Sequence, residues 1–269
     1  MTRTLVQVQW PKTAPLSPAL KRILLESEKG FYYFDRMAAD DKIKFIYFDL
    51  DDTLFDHTRS EQMALKSLFQ SMPQTFASID QASFLRTYKR INGELWTQMA
   101  EGKISAQQLK RLRFELTFKA FDVGCTNADE ISRRYLEVYS QMDFVLPNTT
   151  ETLQYLNSKY ELGILSNGFE GIQETKLRNT KLGSYFLVKI FSGNVGAMKP
   201  DPRIFSAATQ ATNVRPAGIV YVGDSYENDI VGAKAAGWRC VFFNPNKEIV
   251  QDTLADHEIT DLLHLTEIF

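Results

Sequence analysis

Cysteine is nearly missing: Cys125 and Cys240 are the only two in 269 residues. They lie far apart and match no metal or redox spacing, so no disulfide framework is expected, and two reduced thiols suit a cytoplasmic protein. A basic excess is also missing. Thirty-one lysines and arginines face 33 acids, for a net charge of −2. No field exists to hold a nucleic-acid backbone, and no basic stripe interleaved with aromatics appears. No apolar stretch approaches the roughly 20 residues that a membrane span requires. Internal repeats and low-complexity tracts are absent as well. Histidine is scarce: His257 and His264 fall in what reads as a C-terminal helical stretch and suggest no chemistry, and a lone His57 suits a surface or packing role.

What is present is apolar substance. Hydrophobic residues make up 44% of the chain and aromatics 12%, enough for one large domain or a domain carrying a sizeable insert. Residues 1–41 read as an N-terminal extension. Its first 36 residues mix prolines, a short helical stretch near 18–28 and the aromatic cluster Phe31-Tyr32-Tyr33-Phe34. They lack the basic start, apolar centre and small-residue cleavage site of a secretory signal. Met37 opens MAADDKIKFIYFDL, a natural start for a domain whose first strand is 43–48, so the 36 residues are expected to be dispensable, as an upstream mis-start or a loosely docked extension.

Five short apolar strands are expected, at 43–48, 161–165, 188–191, 218–222 and 239–243, with helices near 170–182, 201–212 and 227–236 between the last four. Buried strands alternating with helices specify an α/β, doubly wound, mostly parallel sheet covered on both faces. Residues 58–143 have another texture. Amphipathic patterns at 59–72, 80–100, 104–121 and 127–141 predict a helical cap domain inserted into a core made of 42–57 and 144–269.

Ligand sites in such sheets lie beyond the carboxyl ends of the strands. Asp49-Leu50-Asp51-Asp52-Thr53 follows the first strand, Ser166-Asn167-Gly168 the second, and Gly223-Asp224-Ser225 the strand at 218–222, with Asp229 five residues past Asp224. Met198-Lys199-Pro200-Asp201-Pro202 precedes the helix at 201–212. Asp49 and Asp51, two apart in extended chain, point to one side, and Asp224 can converge on them. Crowded carboxylates invite a hard divalent cation with oxygen ligands, which offsets their repulsion; Mg²⁺ fits beside a substrate phosphate. Lys199 adds a further positive charge.

The string hhhDxDxT at 46–53, the Ser-Asn-Gly at 166–168, the lysine of MKPDPRIF at 198–205 and GDxxxxD at 223–229 together resemble, in order, the four motifs of the haloacid dehalogenase (HAD) superfamily. The helical insert falls where that family's C1-type caps lie. FDLDDTLFDH, NGFEGIQETKL (167–177), VGAMKPDPRIF (195–205) and GDSYENDIVGAKAAG (223–237), with the stretch at 95–114, are similar to the branch containing pyrimidine 5′-nucleotidases.

The resemblance implies a HAD-like core and roles for individual residues. Asp49 is the nucleophile that forms an aspartyl-phosphate. Asp51 is the general acid and then the base, and its backbone carbonyl binds the metal. Family members that dehalogenate lack an acid at that place, so Asp51 favours phosphoryl transfer. Asp224 completes the Mg²⁺ ligands with Asp49. Lys199 contacts nucleophile and phosphoryl oxygens. Ser166 and the backbone N–H groups of Asn167 and Gly168 bind the phosphate. Asp229 positions Lys199 or a metal-bound water, with a structural hydrogen bond as the alternative, and Thr53 steadies Asp49 within the loop. Asp52 serves the tight turn and Asp56 the cap hinge; Trp96 and Arg113 are expected to serve as packing or rim residues, with substrate contact as the alternative. The implied partner is a small phosphorylated metabolite, foremost a nucleoside 5′-monophosphate, for a monomer or homodimer. Sugar phosphates and phosphoglycolate are the rivals; a 2-haloacid dehalogenase and an inactive binding protein rank behind them.

Overall fold

Phe45, Ile46, Tyr47 and Phe48 are all buried, which a strand covered on both faces demands, and they form β1 (Phe45–Phe48) at the centre of the sheet. This computed structural model describes residues 42–125 and 127–269. The expected extension and its helical stretch lie outside the described residues. Helices α1 (His57–Ser71), α2 (Gln81–Ala100), α3 (Ala106–Lys119) and α4 (Ala128–Ser140) follow β1, then α5 (Thr149–Asn157). Next come β2 (Glu161–Ser166), α6 (Glu170–Asn179), β3 (Val188–Phe191), α7 (Pro202–Thr212), β4 (Ile219–Gly223), β5 (Arg239–Phe243) and β6 (His257–Ile259).

The six strands run in the order β3-β2-β1-β4-β5-β6, and every pairing is parallel. This is the doubly wound order, whose direction reverses at β1. Phe48 registers with Ile164 of β2 and Val222 of β4, so the three carboxyl ends finish side by side. The period-2 alternation sorts side chains between two cores. Ile46, Phe48, Ile164 and Val222 face one, with α5 against it; Phe45, Tyr47, Tyr221 and Phe242 face the other, beneath α7. Gly163 is required there, because a Cβ on it would stand 2.6 Å from the Tyr47 ring.

The four helices between β1 and α5 build an aromatic core of their own. Phe76 lies 5.3 Å from both Phe84 and Phe118, and Tyr88 lies 5.3 Å from Phe114. Ser105 and Gln108 close a capping box at the start of α3. The backbone leaves the sheet and returns along paired segments: the Asp56 N–H donates to the Phe144 carbonyl and the Leu146 N–H to the Leu54 carbonyl, both at 2.9 Å.

Three local expectations are corrected. His257 belongs to edge strand β6 and His264 to a 3₁₀ turn, so neither lies in a long C-terminal helix. Three residues carry too little pattern to announce a strand; pairing with β5 decides it. The helix expected to 182 stops at Asn179, where Lys181 turns left-handed. The one expected at 227–236 begins instead as a π-helical segment, Tyr226–Val231, before a helical turn at Gly232–Ala235. π-Helical turns are rare and occur frequently at functional sites.

Candidate active site

Asp49 is the first residue past β1, and its N–H remains in the sheet ladder, donating to the Val222 carbonyl at 2.9 Å. Its carboxylate is thereby fixed at the carboxyl edge, where Lys199 meets it from the turn before α7. The Lys199 ammonium donates at 2.7 Å to Asp49 Oδ1, to Asp229 Oδ1 and to the Tyr221 hydroxyl, so all three donor positions are used. Burial alone would lower the Lys199 pKa, but Asp229 and Asp49 together hold it well above the usual lysine range. Asn167 fastens the backbone of the same lysine: its Oδ1 accepts the Lys199 N–H at 2.7 Å and its Nδ2 donates to the Lys199 carbonyl at 3.0 Å. The side chain of Asn167 thus has a positioning task that its place after a strand did not announce. Ser166 lies beside it, its Oγ accepting the Gly168 N–H at 3.1 Å.

Asp229 is anchored on its second oxygen by the Ser225 N–H at 2.9 Å. Gly223 makes room for it, since a Cβ there would fall 2.3 Å from Asp229 Oδ2. Thr53 departs from expectation: its hydroxyl donates at 2.9 Å to Asp224, across the strands, rather than steadying Asp49 within the loop. Carboxylate oxygens of Asp49, Asp224 and Asp229 lie within 4.8 Å of one another. Burial pushes both Asp49 and Asp224 upward in pKa, and for Asp224 the Asp49 charge adds to it. A largely buried, all-oxygen, anionic donor set of this kind fits a hard divalent cation.

Asp51 takes another direction. Its carboxylate accepts from Lys176 Nζ at 2.6 Å, from Gln173 Nε2 and from the Tyr139 hydroxyl at 3.3 Å. Its side chain therefore stands outside the three-aspartate cluster. Burial would raise its pKa, but Lys176 and His57 overcome that and hold the group down at about 2. Lys176, Gln173 and Tyr139 carried no role from the sequence. Gln173 and Lys176 do share one face of α6 at a spacing of three, the only available signal; nothing local placed that face against Asp51. Lys176 is wholly buried, so Lys176→Met leaves Asp51 without its ionic partner. A loss of about 1–3 kcal/mol is expected, readable as a lower urea midpoint at unchanged slope.

His57, at the start of α1, sets Nδ1 2.7 Å from the Tyr139 hydroxyl. Asp52 sits in the left-handed region at φ 58° and accepts the Thr58 N–H, and Asp56 caps α1 by accepting the Arg59 N–H at 2.8 Å. Above these groups opens a cavity of ≈490 Å³, within the range of small-molecule sites. Asp49, Asp51, Ser166 and Lys199 line its floor, and Trp96 and Thr97 of α2 line its far side. The Trp96 ring stacks on Phe169 with centroids 5.2 Å apart. Arg113 does not reach this cavity but lies buried in a smaller chamber behind it.

A strand-end aspartate paired to a buried lysine, beside a cluster of carboxylates at the turning point of a doubly wound sheet, marks a candidate hydrolytic centre. Residues 43–237 match the model of the haloacid dehalogenase-like hydrolases, and the chain belongs to that family. It is 29% identical to the pyrimidine 5′-nucleotidase YjjG of Escherichia coli over 227 residues, covering 84% of this chain and 97% of that one. It is equally 29% identical to a glyceraldehyde 3-phosphate phosphatase of Pyrococcus furiosus, covering 84% and 93%. Among solved structures, YfnB of Bacillus subtilis, determined bound to magnesium, shares the fold with a TM-score of 0.76 at 24% identity, over 84% of this chain and 98% of that one. No helix among the described residues is long and apolar enough to cross a membrane.

Proposed function

We propose that the chain is a Mg²⁺-dependent phosphomonoester hydrolase acting through an aspartyl-phosphate, with a nucleoside 5′-monophosphate as its foremost substrate. The observation that carries this is the Lys199 ammonium bridging Asp49 and Asp229 at 2.7 Å beside Asp224, on the floor of the cavity. Asp49 attacks the phosphorus; the new Asp49 O–P bond forms as the ester O–P bond breaks. Asp51 gives the departing alkoxide its proton. Water then attacks the phosphorus, Asp51 takes the proton of that water, and inorganic phosphate leaves with Asp49 restored. Lys199 offsets charge on the phosphoryl oxygens, which the Ser166 hydroxyl and the N–H groups following it also hold. Asp49, Asp224 and the backbone carbonyl of Asp51 would hold the cation, which supplies charge neutralisation at the phosphoryl group.

Asp51, held at about 2 by Lys176, is ionised here, the form needed to activate water. The leaving-group half needs it protonated, and an approaching phosphate dianion raises it by like-charge repulsion. Residues 58–143 act as the cap, with α2 facing the reacting groups and keeping bulk water out of the cavity. A sugar-phosphate phosphatase is the second reading, favoured by the likeness to the glyceraldehyde 3-phosphate phosphatase. Phosphate release from p-nitrophenyl phosphate and a panel of nucleotides, sugar phosphates and phosphoglycolate decides between them. Hydrolysis of p-nitrophenyl phosphate and nucleotides is expected; chloride release from 2-haloacids without phosphate release would overturn the phosphatase.

A further inference from the structure

Behind the main cavity, walled by α1, α2, α3, α4 and α6, lies a side chamber of ≈40 Å³. It shares Asp51, His57, Trp96 and Gly168 with the main cavity, so the two adjoin. Three polar side chains on its wall are almost completely buried: Arg113 is 3% exposed, Asn92 7% and Gln173 1%. Each is hydrogen-bonded through one atom, and the Arg113 guanidinium also lies over the Tyr135 ring at 4.7 Å. Arg113 Nη2 donates to the Ser132 hydroxyl at 3.2 Å, Asn92 Nδ2 to Glu61 at 3.3 Å, and Gln173 Nε2 to Asp51. Arg113 Nε, Asn92 Oδ1 and Gln173 Oε1 have no hydrogen-bond partner among the described residues. A buried donor or acceptor left unpaired carries its full desolvation cost, and a native chain rarely keeps three in one place unless something else pairs them.

That something has a definable chemistry. Arg113 Nε–H asks for an acceptor, and the two amide oxygens ask for donors. A volume of ≈40 Å³ admits about one to three waters or the polar edge of a ring, but no whole ring. The ring itself must stay in the main cavity, where Trp96, stacked on Phe169, offers a flat aromatic wall. A planar heterocycle that presents neighbouring C=O and N–H groups answers Arg113 Nε and one of the amide oxygens, leaving the other for a water.

We propose that the side chamber reads the amide edge of a nucleobase, with Arg113 and Asn92 as specificity-determining residues and Trp96 as the stacking wall. The proposal rests on the phosphatase reading above and adds to it the residues that select the base. The base of a nucleoside 5′-monophosphate lies along Trp96, its carbonyl accepts from Arg113 Nε, and its N–H donates to Asn92 Oδ1. An ester that lacks the base leaves these groups unpaired and is selected against.

The test compares kcat/KM for uridine 5′-monophosphate, ribose 5-phosphate and p-nitrophenyl phosphate in the full chain with Mg²⁺ present. In the unsubstituted protein the nucleotide is expected to exceed ribose 5-phosphate by about tenfold or more. Arg113→Met should lower the ratio of nucleotide to p-nitrophenyl phosphate by about tenfold, mainly through a higher KM for the nucleotide. Asn92→Leu, an apolar group of similar size, should lower that ratio several-fold; it carries the comparison if Arg113→Met does not fold. Equal kcat/KM for uridine 5′-monophosphate and ribose 5-phosphate, or variants that leave the ratio unchanged, would overturn the base-reading chamber alone. Failure to release phosphate from any ester, p-nitrophenyl phosphate included, would overturn the phosphatase as well.

Discussion

Asp49→Asn should abolish phosphate release, by a thousandfold or more, while circular dichroism stays native. A thousandfold corresponds to about 4 kcal/mol of transition-state stabilisation, which loss of an attacking group readily reaches. The amide has nearly the shape of the carboxylate, and Lys199 keeps Asp229 and the Tyr221 hydroxyl as partners. The substitution also removes one negative charge from a crowded, buried set, so the melting temperature should fall little. A variant that still releases phosphate, with native spectra, would remove Asp49 from the chemistry.

The cation should matter almost as much. EDTA is expected to stop turnover, and added Mg²⁺ to restore it. Binding should also be visible without any substrate. At a cation concentration ten times Kd the folded state gains about 1.4 kcal/mol, roughly 2–4 °C of melting temperature for a domain of this size. That gain should vanish in Asp224→Asn, whose side chain no longer supplies a charge beside Asp49. The pH dependence has a definite sign. Burial first, then Asp49, raises Asp224 to about 8 in the folded protein, whereas the unfolded chain gives up that proton in the ordinary carboxylate range. In EDTA the folded state therefore binds more protons than the unfolded one. The contribution of this cluster to stability then declines as pH rises from about 4 towards 8. Mg²⁺ should flatten the decline, because the ion needs the ionised groups. A melting curve that ignores Mg²⁺ at pH 8 would exclude these carboxylates as its ligands.

Much of this arrangement is legible in the sequence, and for a simple reason. A parallel strand such as Phe45–Phe48 is apolar on both faces, so its end is marked by the first polar residue, Asp49. The same holds at Ser166 and at Asp224. Residues at such edges must lie near one another once the sheet order places β2 and β4 beside β1. What was hidden depends on side chains crossing between elements. The Thr53 hydroxyl could have stayed in its own loop; only the parallel register with β4 brings Asp224 within 2.9 Å. Lys176 looks like any helix lysine until α6 turns it under Asp51. Tyr139 comes from α4, some ninety residues away from Asp51, and no local pattern predicts that meeting. Strand β6 leaves no such mark, because a three-residue edge strand is defined by its neighbour rather than by its own composition.

The paired backbone at Leu54–Asp56 and Phe144–Leu146 brings the departure and return points of the helical excursion together. A detour of nearly ninety residues is thereby pinched shut at its neck, and its length scarcely affects how β1 and β2 align. Residues near Asp49 can thus hold their mutual positions while the excursion changes in length or composition, leaving one catalytic floor able to sit beneath many different roofs.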